Sequence, residues 1–266
     1  MTGVFIFYNQ AEWHILINNV IRPIFFDLQN DKVLNRYYLF FGKRKGDHIK
    51  IVVEDCDSHS LESVYDRLEK FIKAYPSVNK TTRYPLEALF KNFPNNSIIK
   101  YTQLVSNVTN DLSSFRCRIS EILVQALCEE VFSLEVLFTF LIYIQLTILR
   151  LNFNNFYDAK PAMNEIVKRI NFNKNIEYKK ENIIHVAHLF EGNVETLKEI
   201  VDEIWNDRNV NQHGWLKEWE TNCNSFLEGD KPFVDTFILI MAVCCEHLDI
   251  TLESYVPESL LLLLDL

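Results

Sequence analysis

Tyr37-Tyr38-Leu39-Phe40-Phe41-Gly42-Lys43-Arg44-Lys45-Gly46-Asp47-His48-Ile49-Lys50-Ile51-Val52-Val53 is the stretch whose reading decides the fold. Two runs of aromatic and β-branched residues flank a loop of glycines and charges, which is the composition of a β-hairpin. The period of two in a strand puts His48, Lys50 and Val52 on one face of the second run, and Ile49, Ile51 and Val53 on the other. One face therefore reads as buried and the other as partly polar.

Upstream, Val4-Phe5-Ile6-Phe7-Tyr8, closed by Asn9, reads as a further buried strand. Between Glu12 and Leu28 the positions Trp13, Leu16, Ile17, Val20, Ile21, Ile24 and Phe25 recur at helical spacing, and Pro23 is expected to bend or split that helix. Downstream, Ser58 or Ser60 caps a helix with the stripe Leu61, Val64, Tyr65, Leu68, Phe71 and Ile72, ending before Pro76. From about Ile98 onward the periodicity is helical, with breaks near 152–160, 171–175, 206–214 and 229–232. The expected architecture is α+β: predominantly helical with a small antiparallel β-sheet near the N-terminus. It is read as one domain over 1–266, β-containing over 1–95 and helical over 96–266.

Composition narrows the function. The chain has 266 residues, 48% of them hydrophobic and 24% charged, which suits a folded domain with a real core and excludes global disorder. A formal charge of −9 argues against direct nucleic-acid binding as the main activity. None of the 6 glycines stands in a phosphate-cradling arrangement, and the 6 cysteines contain no CxxC pair. They read as reduced core thiols. The N-terminal residues lack a positive region ahead of their apolar run, so a cytoplasmic protein is expected. The segment 136–149 is apolar nearly all round, yet it is shorter than the roughly 20 residues that span a bilayer and contains Gln145, so it reads as a core helix.

Local constellations are sparse. His185, His188 and Glu191 lie at i, i+3 and i+6, where they could share a helix face and ligate a metal; the plainer reading is a half-buried helix face. Trp205, Trp215 and Trp219 bracket a polar stretch and read as either the lip of a pocket or core. No GxSxG elbow is present, and no metal or cofactor is expected.

The order Trp13, Val20-Ile21-Arg22-Pro23-Ile24, Tyr37-Tyr38-Leu39-Phe40-Phe41, Gly46-Asp47-His48-Ile49-Lys50-Ile51 and Tyr84-Pro85-Leu86-Glu87 resembles the C-terminal domain of lantibiotic dehydratases. That domain also occurs alone, in thiopeptide-type bacteriocin biosynthesis proteins. Order and spacing match over roughly the first hundred residues and again, weakly, near the C-terminus.

The resemblance implies modification of a ribosomally made precursor peptide. In full dehydratases this domain eliminates glutamate from glutamylated Ser or Thr, and a related thiopeptide enzyme joins two dehydroalanines into a pyridine ring. The partners implied are the precursor peptide and a separate glutamylating dehydratase or cyclase. Elimination needs a base for the Cα proton and groups that hold the enolate-like oxygen and the departing carboxylate. Carried over, the family's glutamate falls on Glu87 and its late histidine on His247, while the histidine of its Gly-x-His hairpin strand falls on His48. Glu87, His247 and His48 are the candidate catalytic residues; the plainer readings are a structural acceptor beside Tyr84 for Glu87, a satisfied core histidine for His247 and a strand residue supporting the hairpin for His48. The family's two arginines fall on Phe40 and Phe90, and its final Asn-Arg pair on Thr251-Leu252. Arg44, Lys50, Arg83 and Lys91, with Tyr84 beside Glu87, are left as the substrate-binding candidates. Because phenylalanine cannot hold a carboxylate, a non-catalytic peptide-binding or scaffolding partner of a separate enzyme is the alternative.

Overall fold

The computed structural model describes residues 2–30, 36–43, 45–54, 58–78, 93–102, 110–128, 132–171, 192–206, 214–227, 232–249, 257–258 and 260–261. The chain forms two compact units, one of residues 1–136 with 246–249, the other of residues 137–245 with 250–266.

The first unit is built on a four-stranded antiparallel sheet, β1 Thr2–Phe7, β2 Arg36–Gly42, β3 His48–Glu54 and β4 Ser97–Thr102, in the order β2-β3-β1-β4. The β2–β3 hairpin is the one read from the sequence. Its turn needs left-handed backbone at Lys45 and at Gly46, where φ is 115° and glycine costs least. β4 departs from the helical periodicity that the sequence suggests from about Ile98 onward. Ile98-Ile99-Lys100-Tyr101-Thr102 is rich in β-branched and aromatic residues, and pairing with β1 decided the outcome.

One face of the sheet is the core. Val4, Ile6, Leu39, Phe41, Ile49, Ile51 and Val53 are all buried on it. They meet a helical run that starts with a 3-10 turn at Gln10–Glu12, continues as α1 Trp13–Leu16, and ends as α2 Arg22–Asn30. The Trp13 ring packs on Phe41 and its Nε1 donates to the Tyr8 carbonyl at 2.7 Å, while Phe25 stacks on Tyr37. The run is divided just ahead of Pro23, between α1 and α2. The residues before it, Ile17–Ile21, widen into a π turn in which the Arg22 N–H donates to the Ile17 carbonyl. α3 Ser58–Ala74 ends before Pro76, as its stripe predicts, and β4 leans on it through Lys100, whose Nζ meets Glu62 and the Tyr65 ring.

β2 is an edge strand, and α4 Asn110–Leu127 lies along it. The outward N–H of Leu39 donates to Ser120 Oγ at 2.9 Å, and Cys117 packs with Tyr38 and Val52. An exposed edge invites pairing with other chains, and this one is covered.

The second unit is helical. It holds α5 Leu134–Asn152 from Leu137 on, a 3-10 turn at Phe156–Ala159, α6 Lys160–Asn171, α7 over 192–205, α8 Gly214–Leu227, and α9 Phe233–Leu248 up to Cys245. α5 is the expected core helix, with Leu141, Ile142, Ile144, Leu146, Ile148 and Leu149 all buried along with Gln145 and Thr147. Trp219 is core as well, with its Nε1 donating to the Ile144 carbonyl at 3.1 Å, and Trp215 packs on Phe140. Among the described residues no single helix is long and apolar enough to cross a membrane. Cys117, Cys128, Cys223, Cys244 and Cys245 are buried, and burial raises the thiols of Cys117, Cys223 and Cys244 out of the range where a thiolate forms readily.

Candidate functional site

The other face of the sheet carries the chemistry. Antiparallel register sets His48 opposite Phe7 on one side and Gly42 on the other, and Lys50 opposite Phe5 and Phe40. Beyond β1, Tyr101 of β4 faces Gly3. These side chains share a face because each strand alternates. Lys50 Nζ stands 5.6 Å from the Phe5 ring, 5.3 Å from Phe40 and 5.1 Å from Tyr101. Rings on several sides attract the cation through their negative faces. Burial lowers the Lys50 pKa, and the nearby Glu246 carboxylate opposes that shift.

His48 is half-buried, with its ring against Phe5 and Phe7. Its Nδ1 lies 2.8 Å from the Gly46 carbonyl oxygen. A carbonyl only accepts, so Nδ1 carries the proton and Nε2 the lone pair. Burial is the main cause that lowers the His48 pKa; the Gly46 bond, Asp249 and Asp47 pull it back up, and Lys50 adds to the lowering. The ring lies over Gly42, where any Cβ would collide with it.

These residues line an open cleft of about 230 Å³, formed by Phe40, Phe41, Gly42, His48, Lys50, Glu246 and Asp249. Pockets for whole small molecules run to about 300–1,000 Å³, so this one has room for a side chain or two of a longer ligand. Its acidic rim is tied down. Glu246 takes Arg116 of α4 at 3.0 and 2.5 Å, and Asp249 accepts the Lys43 N–H at 3.0 Å.

The fold is similar to that of a pyridine synthase. The enzyme is TbtD, from thiomuracin biosynthesis; the likeness has a TM-score of 0.66 at 17% identity and covers 99% of this chain and 96% of that one. No family model and no curated protein matches the sequence. The likeness in fold thus extends over nearly the whole length of the chain.

Of the candidates named from the sequence, His48 and Lys50 meet in the cleft. His247 does not line it. It is fully buried, its Nδ1 donates to the Leu39 carbonyl at 2.6 Å, and its ring stacks on Phe40 at 4.4 Å and 20°. Burial pushes its pKa down to about 3, with Arg116 adding to the effect. Glu87, Arg44, Arg83, Tyr84 and Lys91 lie outside the described residues, as do His185, His188 and Glu191. Among the described residues no cluster of His, Cys, Asp and Glu could hold a metal ion. Sequence reading missed Phe5, Tyr101, Glu246 and Asp249. The first two were legible as alternate positions of apolar runs, but their partners depend on register; the acidic pair comes from the far end of the chain.

Proposed function

We propose that this chain acts in the biosynthesis of a ribosomally synthesised, post-translationally modified peptide of lanthipeptide or thiopeptide type, as a stand-alone elimination-type domain. Two independent lines support the reading: the sequence resemblance and the end-to-end likeness to a thiopeptide-pathway enzyme. The observation that carries it is the pairing of a neutral imidazole with a caged ammonium on adjacent same-face positions of β3, His48 and Lys50.

The chemistry follows from those two groups. A precursor peptide lies across the cleft with one glutamylated Ser or Thr inserted. His48 Nε2 takes the acidic Cα proton, the C–H electrons form the Cα–Cβ double bond, and the C–O bond breaks. The glutamyl carboxylate leaves with that electron pair, and the Lys50 ammonium receives the negative charge. The resemblance sets an arginine at position 40, where Phe40 stands. Lys50 is the cross-strand partner of Phe40, so a cation is kept on the same face, one strand across. A point charge replaces a two-pronged fork, which loosens the demand for a carboxylate. Glu87 is retained as a second catalytic candidate, with Arg44, Arg83, Tyr84 and Lys91 as peptide contacts.

The likeness to a pyridine synthase favours one second reading, ring formation between two dehydroalanines, whose uncharged side chains suit a cleft with the Phe40 ring in its wall. Co-expression with the precursor peptide and its glutamylating partner, read by mass spectrometry, separates the readings. Loss of glutamate supports elimination. A pyridine chromophore on a dehydrated peptide supports ring formation. A glutamylated peptide that binds and stays unchanged overturns both and leaves a binding or scaffolding partner.

A further inference from the structure

We propose that His247 is a positioning residue that sets Phe40, and through Phe40 the Lys50 ammonium, rather than a group that exchanges protons with substrate. The proposal rests on the reading that the peptide is modified in this cleft. Side chains at the end of α9 make three ties: Glu246 to Arg116 of α4, His247 to the Leu39 carbonyl of β2 and Asp249 to the Lys43 N–H just after β2. His247 alone among them is fully buried.

Leu39 explains why a histidine is needed. On an edge strand its N–H and C=O both point away from β3, and each would cost free energy if left unpaired. Ser120 satisfies the N–H and His247 satisfies the C=O, so backbone and ring are fixed together. The same imidazole lies nearly parallel to the Phe40 ring. Phe40 in turn is one of the three rings around Lys50 Nζ. The chain of contacts runs from a buried donor to the cation in the cleft without a solvent-exposed step at His247.

Two variants split the roles. His247→Gln keeps an amide donor for Leu39 and removes the ring; His247→Phe keeps a ring for Phe40 and removes the donor. The first readout is the Lys50 side-chain resonance in lysine-labelled protein, assigned with Lys50→Met and displaced in the wild type by the surrounding rings. His247→Phe is expected to retain most of that displacement and His247→Gln to lose most of it. In the co-expression assay made quantitative, His247→Gln is expected to lower kcat/KM on the order of tenfold or more at a near-unchanged melting temperature. An unchanged Lys50 resonance in folded His247→Gln overturns the proposal. A shifted resonance with undiminished processing overturns instead the reading that this cleft does the chemistry. The wild type supplies a third check that needs no variant: its His247 ring should remain neutral and protonated at Nδ1 down to pH 5, and titration in the ordinary histidine range overturns the proposal.

Discussion

The two faces of the sheet are made by the same strands and obey opposite rules. On one, Ile49, Ile51 and Val53 of β3 join Val4, Ile6, Leu39 and Phe41 under the helical run, all nearly inaccessible. On the other, the residues between them, His48 and Lys50, sit among Phe5, Phe7, Phe40 and Tyr101, around an open cleft. The first face derives its worth from exclusion of water. The second surrounds a cation with rings and leaves it a solvent path. Stability and chemistry are thus assigned to alternate residues of one strand, and substitutions should separate them.

The largest loss of stability is expected on the core face. Trp13→Ala removes a ring packed on Phe41 and Phe132, and the donor to the Tyr8 carbonyl, and should cost about 3–5 kcal/mol in urea unfolding. A loss below about 1 kcal/mol would show that this face is not the core.

Acid should act next. The folded pKa of His247, about 3, lies below its ordinary 6.5, so the unfolded chain takes up the proton first. Its contribution is complete above about pH 6.5 and is lost as pH falls toward about 3, by at most about 1.4 kcal/mol per pH unit. Unfolding curves across that window, compared with His247→Phe, should show a shallower pH slope in the variant. Equal slopes would remove His247 from the account.

Two glycines sharpen the contrast within the cleft face. A Cβ at Gly3 would meet the Ile51 carbonyl oxygen, which is backbone, whereas at Gly42 it would meet the His48 ring, which can turn. Gly3→Ala should therefore cost about 1–3 kcal/mol, and Gly42→Ala should cost less while displacing His48. The thermal melts should rank the two in that order, with processing lost in Gly42→Ala.

The smallest stability change is expected at Lys50. Lys50→Met gives up contacts worth about 0.5–1 kcal/mol and leaves the fold standing, while processing of the peptide falls away. Retained processing in Lys50→Met would detach the cleft from the function.

Much of this was readable in advance, and the exceptions have physical causes. The hairpin and the alternation of His48 and Lys50 with Ile49 and Ile51 follow from the period of a strand, and the register agrees. The buried α5 and the helix ending before Pro76 are equally plain. β4 was read as helix because Ser97–Thr102 precedes a long helical stretch and its strand character depends on β1 alongside. Pro23 is expected to bend or split its helix, and the run does divide into α1 and α2, at a π turn over Ile17–Ile21 whose place periodicity does not give. In the cleft, His48 and Lys50 were found by periodicity. Phe5 and Tyr101 were not, since apolar residues at alternate positions say nothing about which cation they surround.

The sequence by itself determined which residues alternate, where chains of apolar positions form helices, and that His48 and Lys50 share a face, because these are properties of local backbone geometry. Only the tertiary structure decided that Phe40 would stand between Lys50 and His247 and that Ser120 and His247 would close the edge at Leu39. It also brought Glu246 and Asp249 to the rim of the cleft. Those meetings join positions up to 208 residues apart, and no local propensity encodes a contact whose partner is fixed by packing.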